Sequence, residues 1–133
     1  MIPPFDDSGF LPPGVYRATL AEIDARFGRQ SELRRVQMES VRWMVDLAVR
    51  AGVQRIVLNG SLVTDIMEPN DVDCVLLVRA DSVKDKNAVE ELEQGLPFLD
   101  VSLVGPEGFR RFVDKFFAFD RRREPKGMVE VLP

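Results

Sequence analysis

Leu58-Asn59-Gly60-Ser61, followed after nine residues by Asp71-Val72-Asp73, joins a small-residue turn at the end of one strand to two alternate carboxylates at the start of another. Arg55-Ile56-Val57-Leu58 is a short aliphatic, β-branched run, and Asn-Gly-Ser stops it, so it reads as a buried strand entering a tight turn. Gly60 has no Cβ and can adopt φ > 0, which lets the following N–H groups and the Ser61 hydroxyl turn toward an anion such as a phosphate. Downstream, Asp71-Val72-Asp73-Cys74-Val75-Leu76-Leu77-Val78 reads as a second strand. Its period of two puts Asp71 and Asp73 on one face, with Cα atoms about 7 Å apart.

Two carboxylates converging to roughly 4 Å repel by about 4 kcal/mol at an effective dielectric near 20. A hard divalent cation removes that cost, and Mg²⁺ is usually held by one or two carboxylates together with substrate phosphates and water. The pair therefore reads as half of a metal site that a nucleotide completes. The plainer alternative is a solvated Asn70-Asp71 turn with Asp73 on a sheet edge. A third acid bears on the choice. In Phe98-Leu99-Asp100-Val101-Ser102-Leu103-Val104, Phe98, Asp100 and Ser102 share one face of a strand, and Leu99, Val101 and Leu103 share the other. An acid in an apolar strand needs a cation, a hydrogen-bond donor or solvent.

Taken together, Gly60-Ser61, the nine-residue spacer, Asp71-x-Asp73 and Asp100 on a later strand resemble the nucleotidyltransferase fold of the DNA polymerase β superfamily. The opening residues Ile2-Pro3-Pro4-Phe5-Asp6-Asp7-Ser8-Gly9-Phe10-Leu11-Pro12-Pro13-Gly14 and the approach Glu68-Pro69-Asn70-Asp71 are similar to a group of small bacterial and phage proteins with this core. The resemblance runs from Val41 to Val104 and implies Asp71 and Asp73 as metal ligands and Gly60-Ser61 as the phosphate turn. It also implies Asp100 as a third carboxylate, either a ligand or a base toward the attacking hydroxyl. The implied activity is transfer of a nucleoside monophosphate from a nucleoside triphosphate, with Mg²⁺ or Mn²⁺, to a protein, RNA or small-molecule hydroxyl. By analogy with nucleotidyltransferase antitoxins, the implied setting is a toxin–antitoxin or phage-defence system. Many minimal members carry an Arg just after Gly-Ser, where this chain has Leu62, and larger members carry a helical domain for which too little sequence follows Asp100. The alternative reading is a catalytically inactive module on the same fold that binds a nucleotide or a protein partner. An EF-hand-like calcium loop at Asp71 fails on spacing, because Cys74 and Val75 stand where oxygen ligands and glycine are needed.

Composition bounds these readings. At 133 residues and 15.1 kDa the chain reads as one domain, able to bury about two-thirds of the surface its unfolded form exposes. A net charge of −4 and a pI near 4.9 argue against binding nucleic acid over the whole surface. The chain has no histidine and a single cysteine, Cys74, inside an apolar strand. That excludes histidine-based triads and intrachain disulfides, makes Cys74 a small buried hydrophobe, and leaves carboxylates as the natural metal chemistry. Met1-Ile2-Pro3-Pro4 has neither a basic start nor a long apolar run, and no stretch approaches membrane-spanning length, so the expectation is a cytoplasmic protein.

The expected organisation is an extended Pro-rich arm over residues 1–14 and one α/β domain over 15–133, a small mixed sheet with helices mainly on one face. In the arm, Phe5, Phe10 and Leu11 are placed to dock on the domain. Thr19-Leu20-Ala21-Glu22 has capping-box spacing and opens a short helix ending at Gly28. A longer helix runs from Ser31 to Gly52, with Leu33, Val36, Met44, Leu47 and Ala51 on its apolar stripe and Arg34, Arg35, Glu39 and Asp46 elsewhere on the cylinder. Residues 81–95 read as a solvated helix, and 107–119 as a helix whose Phe109, Phe112, Val113, Phe116 and Phe117 form a core stripe. Met128–Leu132 reads as an edge strand. Between Gly105 and Gly127 seven basic residues, including Arg110, Arg121 and Lys126, exceed four acidic ones. The resulting local charge of +3 can serve triphosphate, RNA or an acidic partner, or can simply be a solvated helix end.

Overall fold

Thr19 ends a strand and opens a helix with one set of hydrogen bonds. Its hydroxyl accepts from the Glu22 N–H at 3.2 Å, and the Glu22 carboxylate accepts from the Thr19 N–H at 3.1 Å, so β1 (Gly14–Thr19) turns directly into α1 (Leu20–Phe27). Gly28 stops α1. Ser31, whose hydroxyl accepts from the Arg34 N–H, then caps α2 (Glu32–Ala51), which ends at Gly52 in the left-handed region with φ +91°. The remaining elements are β2 (Arg55–Asn59), β3 (Val72–Leu77), α3 (Lys86–Gln94), β4 (Leu99–Val104), α4 (Pro106–Arg111) continued by a π-helical turn over Phe112–Phe116, and β5 (Gly127–Leu132). This computed structural model describes residues 2–70, 72–120 and 122–133, leaving aside the side chain of Phe116.

The protein is a mixed α/β fold. The five strands lie in the order β1-β5-β2-β3-β4. The outer pairs β1/β5 and β3/β4 are parallel, and the inner pairs β5/β2 and β2/β3 are antiparallel. Residues 128–132 are therefore not an edge strand. They sit inside the sheet, with Gly14 opposite Gly127 and Val57 opposite Glu130, and the edge belongs to β1. The physical reason is burial on both faces, for Met128, Val129, Glu130 and Val131 are all buried, whereas β1 is largely exposed.

Alternation along the strands separates two faces. On the first, Ile56 and Leu58, Cys74 and Leu76, and Val129 and Val131 pack with Ile23, Phe27, Met38, Val41, Met44, Leu47, Ala88 and Leu92 from α1, α2 and α3. On the second, Val57, Val75, Leu77 and Met128 meet Phe109 and Phe117. Among the described residues, three helices thus cover one face, and α4, its π turn and Phe117 cover the other. The aromatic stripe of residues 107–119 divides accordingly. Phe109 and Phe117 are buried, Phe112 stands edge-on to Phe117 with ring centroids 5.4 Å apart, and Phe119 is exposed. Trp43 lies on the outer side of α2, half exposed.

Arg34 departs most from its sequence reading. It is not on the solvent side of α2 but is 2% exposed, among the most buried side chains of the protein. Its Nη1 donates to the carbonyls of Phe27 at 2.9 Å and Leu62 at 2.7 Å, its Nη2 to Thr64 at 2.8 Å, and its Nε to Ile66 at 3.1 Å. Burial holds the guanidinium below its ordinary pKa, and the charges of Asp65 and Glu68 oppose that effect. Two more side chains of the same region extend the attachment. Gln37 Nε2 donates to the Pro69 carbonyl at 2.9 Å, and the Ser31 hydroxyl donates to that of Met67 at 3.1 Å. The first half of α2 therefore fixes the whole connection between Gly60 and β3.

The amino-terminal arm closes over the same connection. Its residues 6–9 make a turn, Leu11 is fully buried, and the Asp65 N–H donates to the Gly9 carbonyl at 3.0 Å. Phe5 packs on Phe27 and beneath the Arg26 guanidinium, which lies 4.3 Å from its ring centre.

Replacing Arg34 by Met leaves four carbonyls without their donor. With each buried, unsatisfied acceptor costing about 1–3 kcal/mol, the expected loss of stability is at least about 3 kcal/mol. Arg34→Lys recovers only part of it, since an ammonium cannot reproduce the planar fork. Urea unfolding monitored by Trp43 fluorescence checks this, and a curve for Arg34→Met within 1 kcal/mol of the parent, about one acceptor's worth, contradicts it.

Candidate functional site

β2 is one residue too polar at its end. Arg55, Val57 and Asn59 share the second face, and Asn59 is only 5% exposed although nothing apolar about it calls for burial. Its neighbour across the antiparallel pair is Asp73, and the neighbour of Asp73 across the parallel pair is Asp100. Residues in register point to the same face, so Asn59, Asp73 and Asp100 form a polar row across three adjacent strands, spaced by about 4.8 Å per strand. Asp73 is half-buried, while Asp100 is exposed on the edge strand β4, so solvent access satisfies its charge. The row continues toward β5. Lys126, 8% exposed and immediately before that strand, donates from Nζ to Asn59 Oδ1.

The turn that follows β2 has the conformation its sequence requires. Gly60 has φ +85° and ψ −170°, a region closed to residues with a Cβ, and Ser61–Val63 form a single 3₁₀ turn. The Ser61 hydroxyl accepts from the Asn70 N–H at 2.9 Å, and the Thr64 hydroxyl donates to the Ser61 carbonyl at 2.6 Å. Ser61 therefore ties the start of the loop to the residue just before Asp71. Asp71 itself lies outside the described residues. Leu62, the residue after Gly60-Ser61, is fully buried in the core of the helical face.

α4 covers the far end of this face. There Arg55 is held by Glu130 through Nε at 3.0 Å and Nη2 at 2.5 Å, lies 4.9 Å from the Phe109 ring centre, and has its pKa raised by the Glu130 hydrogen bond.

Hard oxygen donors on adjacent strands fit a divalent cation of the magnesium class, which takes a small number of carboxylates and completes its shell with phosphate and water. Among the described residues, His, Cys, Asp and Glu form no group of three or more able to hold a metal, so the described site supplies two carboxylates, Asp73 and Asp100. No helix among the described residues is long and apolar enough to cross a membrane.

Sequence reasoning singled out neither Asn59 nor Lys126 as part of this row. Asn59 was legible as a polar residue continuing the Arg55–Val57 face of a buried strand. Lys126 was one of seven basic residues in its segment, and only the placement of β5 beside β2 distinguishes it.

Cys74 follows Asp73 on β3 and lies on the opposite face. Burial first, then the nearby charges of Asp73 and Asp100, push its thiol well above the ordinary value. A protonated thiol without solvent access is inert. A disulfide reagent such as dithionitrobenzoate is expected to label less than a tenth of the protein under native conditions and one thiol per chain in denaturant; rapid native labelling contradicts the packing of β3.

No curated protein and no solved structure matches the chain. A family model does match, over residues 3–132, and the chain belongs to that family, the Family of unknown function (DUF6932).

Proposed function

We propose that this protein is a metal-dependent nucleotidyltransferase acting on a nucleoside triphosphate and a hydroxyl acceptor on a protein, an RNA or a small molecule. The observation that carries the reading is the register of Asp73 with Asp100 on parallel neighbouring strands, on the face and at the end where β2 runs into the Gly60 turn. The resemblance to the polymerase β superfamily lends it further support.

Asp73 and Asp100, with Asp71 by resemblance, would hold Mg²⁺ or Mn²⁺. Bound there, the cation supplies neutralisation of charge on the triphosphate oxygens. The protein's own groups account for the rest. Gly60 lets the main chain approach a phosphate without a side chain in the way, and Asn59 sets a polar side chain in register beside Asp73. The acceptor oxygen attacks the α-phosphorus, the bond from that phosphorus to the bridging oxygen of the β-phosphate breaks, and pyrophosphate leaves. The proton of the acceptor passes to a carboxylate, and where Asp71 and Asp73 hold the metal, Asp100, open to solvent, is suited to take it.

A second reading, a nucleotide- or partner-binding module without turnover, is favoured by one observation: Leu62 occupies the position after Gly-Ser and is buried.

Incubation with α-labelled nucleoside triphosphates, Mg²⁺ or Mn²⁺ and a host-cell lysate distinguishes the two. Transfer of label to an acceptor is expected, with Asp73→Asn and Asp100→Asn each lowering it on the order of 100-fold or more. Asp100→Asn is at an exposed position and is expected to leave stability within about 0.5 kcal/mol of the parent. Equal transfer by both variants rules out the enzyme reading, and Mg²⁺-dependent triphosphate binding without transfer supports the module.

A further inference from the structure

We propose that Lys126 is the phosphate-contacting cation of this site, held in place by Asn59 and supplying, from the residue before β5, the positive charge that the Gly-Ser turn lacks. The inference rests on the nucleotidyl-transfer reading and extends it to a residue outside the Gly-Ser and Asp-x-Asp pattern.

Lysine is among the residues least often buried, because its ammonium must give up water. Here the side chain is nevertheless 8% exposed, and its Nζ donates to Asn59 Oδ1, a side chain that is itself 5% exposed. Its backbone is also fixed, since the Lys126 N–H donates to the Ala118 carbonyl at 2.8 Å and the next N–H, of Gly127, to the Leu11 carbonyl at 2.9 Å. Gly127 admits no side chain, because a Cβ would lie 2.2 Å from the Pro12 carbonyl oxygen, so the chain at Lys126 is anchored on both sides.

The ammonium therefore arrives at one end of the row Asn59, Asp73, Asp100 from a strand that pairs with β2. A row of carboxylates with a preset ammonium at its end matches a metal-bound triphosphate, whose cation lies on the acids and whose phosphate oxygens extend beyond them. It is a poor match for a bare cation, which the ammonium repels. Leu62 being buried, the turn offers no guanidinium of its own, and Lys126 occupies the side of the turn formed by β5.

The two halves of the site predict opposite responses. Mn²⁺ binding, followed by electron paramagnetic resonance, and Mn²⁺–ATP binding, followed by calorimetry, are measured on the full chain, with thermal melts as the check on folding. Lys126→Gln keeps a donor for Asn59 and removes the charge. It is expected to weaken Mn²⁺–ATP binding tenfold or more while leaving Mn²⁺ alone bound as tightly as in the parent, or more tightly. Lys126→Arg restores ATP binding to within about threefold, and Asp73→Asn weakens both ligands. Lys126→Met serves in place of Lys126→Gln if the latter does not fold. The proposal is overturned if the charge-removing variant binds Mn²⁺–ATP like the parent, or if it loses Mn²⁺ and ATP together, the signature of a structural prop. Parent protein that binds Mn²⁺ without ATP removes the Lys126 role and leaves the carboxylate site standing. Parent protein that binds neither removes both.

Discussion

One buried guanidinium organises the region on which the functional reading depends. Arg34 gathers the carbonyls of Phe27, Leu62, Thr64 and Ile66 around a single planar group. The segment between β2 and β3 has little regular structure of its own, and its carbonyls would otherwise need water in a place from which Leu62 and Val63 exclude it. Arginine suits this task because its donors diverge in one plane and its charge is retained despite burial. With Gln37 and Ser31 beside it, the loop is fastened at five of its carbonyls, Leu62, Thr64, Ile66, Met67 and Pro69, to the same two turns of one helix and its cap. The Gly60 bend and the entry to β3 are thus positioned by packing on the other face of the sheet, not by the site itself.

Much of this architecture is legible in the residues. The strands at 55–59, 72–77 and 99–104, both helix caps at Thr19 and Ser31, and the glycine stops at 28, 52 and 95 all follow from local chemistry, which acts over a few residues and needs no partner. The common face of Asp100 and Ser102, opposite Leu99, Val101 and Leu103, follows from alternation alone. What escapes is whatever depends on distant partners. Arg34 reads as a surface residue because charge usually means solvent, yet Arg34, Gln37, Met38, Val41, Val45 and Ala48 are one buried stripe at helical spacing. Taking the stripe back through its polar members would have placed Arg34 inside. β1 and the interior position of β5 escape for the same reason, since each strand is defined by the other across nearly the full length of the sequence. For the site, alternation gave the face of each acid within its own strand, whereas the register of Asp73 with Asp100 and the reach of Lys126 to Asn59 depend on strand pairing that the sequence does not show.

The unequal covering of the sheet gives the molecule its division of labour. The face toward α1, α2 and α3 carries the larger core and the inert Cys74. The other face is capped at one end by aromatic side chains and the Arg55–Glu130 pair, and keeps polar groups at the other end. Because neighbouring strands alternate in step, one face of the sheet can be apolar throughout while the other is apolar at one end and polar at the other. Among the described residues near the polar end, Gly60 takes a positive φ, which costs a glycine little, and so does Phe98, two residues before Asp100, with φ 68°.

The pairing of β1 with β5 also orders events in time. Gly14 to Thr19 form their ladder with Gly127 to Leu132, so the strand nearest the start of the sequence has no hydrogen-bonding neighbour until one made more than a hundred positions later exists. During synthesis, β2, β3 and β4 can assemble on α2 while β1 waits, and the gap beside β2 is filled last. Since Lys126 precedes that final strand, the nascent sheet carries its acids before it carries the ammonium beside them.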